Sequence, residues 1–132
     1  MDGARLEGIS LFADLDDEQR AEVAARVHEV TVEADHTLAL QGDNAYELFV
    51  IEEGEAEVSR EGETIATLGE GDVFGEIGVL VTGTRRATVV AKTPMRLVAI
   101  FARDFKQVER QMPAVADRLR EIMRERVART SL

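Results

Sequence analysis

Two charged residues on one loop define the chemistry this chain offers. In FGEIGVLVTGTRRATVV, residues 74–90, Glu76 stands between Gly75 and Ile77, and two arginines follow at positions 85 and 86. A formal net charge of −10 repels anions at a distance, so paired cations in one loop imply a local reason to hold an anion. The segment from Glu76 to Val81 has helix-like composition after a glycine-rich turn. A short helix behind Gly75 would aim its first unpaired backbone N–H groups, and the positive end of its dipole, at one spot. Gly75 and Gly78 would let a ligand approach the backbone closely. Arg85, at the mouth of the next strand, could then neutralise the anion. Glu76 is misplaced beside a bare phosphate, because like charges repel, but it suits a ligand that also carries hydroxyl donors, as a ribose does. An acid for hydroxyls and an arginine for phosphate on one strap describe a nucleotide site.

Competing chemistries lack their residues. There is no cysteine, which excludes disulfides, thiolate metal sites and a cysteine nucleophile. A metal-dependent barrel enzyme of the cupin type needs a histidine cluster, and a hydrolase triad needs a base; the chain has only His28 and His36, near the join between helix and strands. No catalytic residue and no metal ligand is therefore expected. The acidic group Glu47, Glu52, Glu53, Glu55 and Glu57 lacks calcium-loop spacing and reads as a solvated face. A pI near 4.7 argues against a surface that tracks nucleic-acid phosphates.

The elements that must position the strap fall into three stretches of a single domain covering residues 1–132. Residues 1–29 form a helical lead-in. DLDDEQRAEVAARV spaces Leu15, Val23 and Val27 near the helical period, Asp16 and Gln19 suit a capping box, and Leu6, Ile9, Leu11 and Phe12 anchor a short leading helix. Residues 30–101 change period. VTVEA, YELFVI, AEVSR, TIATL, ATVVA and RLVAI are short runs rich in Val, Ile and Thr, separated by glycine-acid turns that include Gly42-Asp43-Asn44 and Glu53-Gly54-Glu55. The expectation is a mainly β fold with flanking helices: an antiparallel jelly-roll β-barrel holding the strap at residues 74–89. Residues 102–132 return to helix, with Pro113 placed in a first turn, where its missing N–H costs nothing. Val115, Leu119, Ile122 and Met123 make one apolar stripe. No apolar run approaches the ~18 residues of a membrane span, and the N-terminus lacks a signal pattern. A cytoplasmic location is expected.

The strap resembles the phosphate-binding cassette of cyclic nucleotide-binding domains, whose pattern is Phe-Gly-Glu, a short apolar helix, then Arg-x-Ala-Thr-Val. Here the matching residues are Phe74-Gly75-Glu76, Ile77 to Leu80, and Arg85-Arg86-Ala87-Thr88-Val89. LFADLDDEQRAEVAARV is similar to the family's N-terminal helix, LALQGDNAYELFVIEEGEAEVS to its early strands, and TPMRLVAIFARDFKQV with the final helix to its closing elements. The resemblance implies a regulatory sensor without catalysis or cofactor. In it, Glu76 takes the ribose 2′-hydroxyl, Arg85 pairs with the cyclic phosphate, the N–H groups of Ile77, Gly78 and Ala87 complete the cradle, and Gly75 lies against the sugar.

Two positions depart from the pattern. Thr84 replaces a frequent proline, which implies a less rigid loop, and Arg86 replaces a small residue. Arg86 could add a phosphate contact, reach the base or lie in solvent. Members that favour cyclic GMP often carry threonine there, so the expected ligand is cyclic AMP, with cyclic GMP as the other option. Nothing in the strap covers the base. In the family that cover is the final helix, which here offers Leu119, Ile122 and Met123 as an apolar lid, with Arg118 or Arg126 to stack on the purine; a helix packed permanently on the core explains the stripe equally well. The roughly 20 residues after Gln111 suit one helix, so no DNA reader is expected within this chain, whether it is a stand-alone sensor or a fragment. The expected partner is an effector domain or protein, and the expected state is a monomer or a weak dimer through the C-terminal helix. The alternative is a degenerate domain of the same fold serving as a protein-interaction scaffold without nucleotide.

Overall fold

A computed structural model describes residues 3–9, 12–75 and 82–130, with the side chains at 4, 5, 122, 123 and 126–130 excepted. In order, the elements are α1 (Gly3–Leu6), α2 (Asp17–Ala24), β1 (His28–Val32), β2 (Thr37–Ala39), β3 (Glu47–Glu53), β4 (Ala56–Arg60), β5 (Glu63–Leu68), β6 (Val73–Phe74), β7 (Thr88–Ala91), β8 (Met95–Phe101), α3 (Ala102–Gln111) and α4 (Pro113–Thr130).

The strands form two antiparallel sheets, ordered β1-β8-β3-β6 and β2-β7-β4-β5. Of the ladder partners, β4 and β5 alone are also neighbours in sequence, so the chain crosses between sheets at nearly every connection. This is a jelly roll. The expected barrel takes the form of two facing sheets, not one closed ladder. The six apolar runs foreseen in the sequence correspond to β1, β3, β4, β5, β7 and β8. The two remaining strands, β2 and β6, span three and two residues, too few to display a period.

Burial explains why β3 and β8 read as unbroken apolar runs. Phe49 and Ile51 of β3, with Leu97 and Ala99 of β8, fill the space between the sheets. Leu48 and Val50, with Val98 and Ile100, face the opposite way, into a second core with the helices. A strand covered on both faces has no polar side to show. By contrast, β5 lies at a sheet edge, and Glu63, Thr64, Ile65 and Thr67 along it are exposed.

The helices cover the outer face of the β1-β8-β3-β6 sheet. The capping box of α2 is present: the Gln19 N–H donates to Asp16 Oδ1 at 2.8 Å, and the Asp16 N–H donates to Gln19 Oε1 at 3.1 Å. Phe105 and Val108 of α3 join Val115, Ala116 and Leu119 of α4 in the helix–sheet core, beside Phe12, Val23 and Val73.

The turn between β3 and β4 fixes how these layers meet. Gly54 has φ +102, and a Cβ there would stand 2.6 Å from the Pro94 carbonyl oxygen and 2.8 Å from Met95 Cγ. Gly54→Ala combines backbone strain with a clash against main chain, so urea denaturation should show a loss of roughly 2–4 kcal/mol. A loss under about 0.5 kcal/mol would mean that the turn relaxes freely.

Candidate functional site

Among the described residues, Arg85 is one of two buried charged side chains, at 8% exposure. Its position follows from strand alternation: Arg85, Ala87 and Val89 are buried towards the space between the sheets, while Arg86 between them is exposed. A distant loop pins its backbone. The Arg85 N–H donates to the Asp43 carbonyl at 2.7 Å, and the Arg85 carbonyl accepts from the Gly42 N–H at 2.9 Å. Next to it the Ala45 N–H donates to the Gly83 carbonyl at 2.9 Å, and Asn44 bridges Thr84. Thr84, where a proline would stiffen the chain, is thus tied by this bridge, and its carbonyl accepts from the Thr82 hydroxyl at 2.9 Å.

The guanidinium reaches inward to Gly75. Gly75 has φ +85, and a Cβ at this position would overlap Arg85 Nη1 and approach the Glu47 carbonyl oxygen to 3.3 Å. Glycine is therefore favoured by the backbone conformation, and a side chain here would push the Arg85 guanidinium out of its place. On another side the Arg85 Cζ lies 5.7 Å from the centroid of the Phe49 ring. Nη1 is buried and makes no hydrogen bond among the described residues. Burial pulls the Arg85 pKa below the usual guanidinium range, and the nearby charge of Glu47 partly offsets this. A desolvated cation with a spare donor, beside a glycine that leaves room, is suited to an incoming anion.

The structure joins Gly75 and Arg85 directly. It buries Ala87 between the sheets and leaves Arg86 on the outer face, where the Arg86 carbonyl accepts from Arg60 Nε at 3.2 Å. Glu76, Ile77 and Gly78 lie outside the described residues, as do the side chains of Ile122, Met123 and Arg126. Leu119 packs into the helix–sheet core at 2% exposure, and Arg118 pairs with Asp14 at 2.8 Å. Sequence reasoning missed Phe49 and the residues of the 42–45 loop as neighbours of Arg85. The Gly42-Asp43 turn was visible, but nothing local links it to a residue some forty positions later. Among the described residues no group of three or more His, Asp or Glu side chains could hold a metal, and no helix is long and apolar enough to cross a membrane.

Comparison with known proteins bears on this site as a whole. The family profile described as the cyclic nucleotide-binding domain matches residues 29–111, a span that runs from β1 through the strap to α3. The chain is 35% identical over 104 residues to a cAMP-dependent protein kinase regulatory subunit of Schizosaccharomyces pombe, covering 78% of this chain and 25% of that protein. It therefore spans about a quarter of that relative's length. Among solved structures, a cyclic nucleotide-binding domain from Methylobacillus flagellatus superposes with a TM-score of 0.85 at 23% identity, covering 98% of this chain and 81% of the other. The regulatory domain of Toxoplasma gondii PKA, crystallised with cAMP, gives 0.77 at 22% identity over 95% of this chain and 49% of the other. With the profile matched across more than half its length, the chain belongs to the cyclic nucleotide-binding domain family.

Proposed function

We propose that this domain is a sensor that binds a cyclic nucleotide, cyclic AMP in preference to cyclic GMP, reversibly and without chemistry. The observation that carries this reading is the buried guanidinium of Arg85, set against Gly75 with a donor that makes no hydrogen bond among the described residues. A scaffold has no use for a desolvated cation, whereas a cyclic phosphate repays it with charge-assisted hydrogen bonds. Glu76, next in sequence, takes the ribose hydroxyl, and the N–H groups of Ile77, Gly78 and Ala87 complete the phosphate cradle. The preference for cyclic AMP is supported by Arg86, which stands where guanine-favouring members carry threonine and which is exposed on the outer face. It is further supported by the regulatory subunit and the cAMP-bound regulatory domain that this chain is similar to.

The signal leaves through α4. This helix packs against β6, and Val73 of β6 shares a core with Leu119 while its neighbour Phe74 leads into Gly75. Movement of the strap is thus passed to the helix, and Arg118, Leu119, Ile122, Met123 and Arg126 supply the cover for the base once the helix shifts. The listener is an effector domain or protein, and the site of action is the cytoplasm.

Calorimetric titration of the purified protein with cyclic AMP and cyclic GMP tests this reading. The expected result is saturable one-to-one binding, tighter for cyclic AMP, with ligand recovered intact. Absence of binding to both at millimolar concentration would overturn it.

A further inference from the structure

Arg85 must present its guanidinium in one place, yet among the described residues its buried Nη1 has no hydrogen-bond partner to fix it. The nearby Glu47 carboxylate lies 3.5 Å from His28 Nε2, on the side of β1. What lies against the guanidinium is an aromatic surface. The Arg85 Cζ stands over the Phe49 ring at 5.7 Å from its centroid, and Phe49 in turn stacks on Phe74 with centroids 5.0 Å apart and planes at 22°. Phe49 and Phe74 are ladder partners between β3 and β6, and both are almost wholly buried, at 3% and 1% exposure. The rings therefore belong to the rigid sheet, not to a loop.

From this arrangement we infer that Phe49 is a positioning residue for the phosphate-binding arginine. The negative face of its ring holds the cation electrostatically in a desolvated space, where such contacts are strongest. Stacking on Phe74 fixes the plane of that face. Phe74 also precedes Gly75, so one aromatic pair aligns the cation and the glycine turn that a phosphate must meet together. A ring contact suits this task better than a carboxylate would. A carboxylate bonded to the guanidinium would use its donors and set a negative charge beside the phosphate, whereas a ring leaves the edge donors available. This inference rests on the proposed function for its ligand, but the position of Arg85 can be measured without one.

The experiment replaces Phe49 in the full chain by 4-fluoro-, 3,5-difluoro- and pentafluorophenylalanine, which keep the ring's shape while draining its face of negative charge. Cyclic AMP affinity should fall stepwise, to about tenfold weaker for the pentafluoro ring, with little change in the unfolding midpoint. Equal affinity across the series would overturn the inference, because a ring that merely fills space does not sense fluorination. A second arm uses no nucleotide. The side-chain proton resonances of Arg85 should be shifted upfield by the ring current in the native protein and should move downfield in Phe49→Leu. Unchanged resonances in that variant would also overturn it. If the native chain failed to bind any cyclic nucleotide, the proposed function would fall, and this second arm would still decide where Phe49 holds the arginine.

Discussion

Arg85→Ala is expected to weaken cyclic AMP binding by roughly ten- to a hundredfold while leaving both sheets folded. The loss of a charge-assisted contact to a fully ionised phosphate costs about 1.5–3 kcal/mol, which converts to that range. The same change should leave stability without nucleotide equal or slightly raised. Arg85 is 8% exposed and its Nη1 makes no hydrogen bond among the described residues, so its charge is partly desolvated at a cost that folding must carry. Removing it relieves that cost, as is common where a functional site is held in a destabilised state. Binding falls while stability does not, which makes the prediction sharp. Calorimetric titration measures the first and thermal unfolding the second. Binding within twofold of the native chain would remove Arg85 from the phosphate site. Should Arg86→Ala prove the more damaging change, the strap would be misread by one residue, despite the exposed position of Arg86.

A larger effect on stability is expected at Leu119. It is 2% exposed on α4 and shares a core with Phe12, Val73, Phe105 and Val108. Leu119→Ala leaves a cavity between helix and sheet and should lower the unfolding free energy by about 2–5 kcal/mol, a large part of the usual 5–15 for a domain. The neighbouring Arg118–Asp14 pair lies at the surface and adds little. Urea denaturation without nucleotide is the informative measurement, because it tells a packed helix from a lid. A loss below about 1 kcal/mol would mean that α4 spends much of its time away from the sheet. Amide exchange across residues 117–129 then completes the test: a helix that closes over the base gains protection when cyclic AMP is added, whereas a purely structural one shows no change.

The sequence by itself determined the fold class and singled out Arg85 with its neighbours along the chain. Short β-branched runs cut by glycine-acid turns can bury their apolar faces only by pairing into sheets that pack together, and the return to a helical period after residue 101 supplies the cover for one of them. Capping at Asp16 and the helix start at Pro113 are likewise local, because each depends on residues within one turn. Gly75 and Arg85 could be singled out because charge type and glycine are read directly from the chain. The tertiary structure alone decided what surrounds them. Residues 42–45 zip against 83–85, Phe49 lies beneath the guanidinium, and Leu119 is buried against a strand more than forty positions away. Periodicity states which face of a strand is apolar but not which distant strand meets it, and in a jelly roll almost every ladder joins segments far apart in sequence. Two-residue β6 makes the point most clearly: it has no period to read, and it becomes a strand because the edge of β3 offers Phe49 and Val50 as partners. The aromatic support beneath Arg85 arises only when that pairing forms.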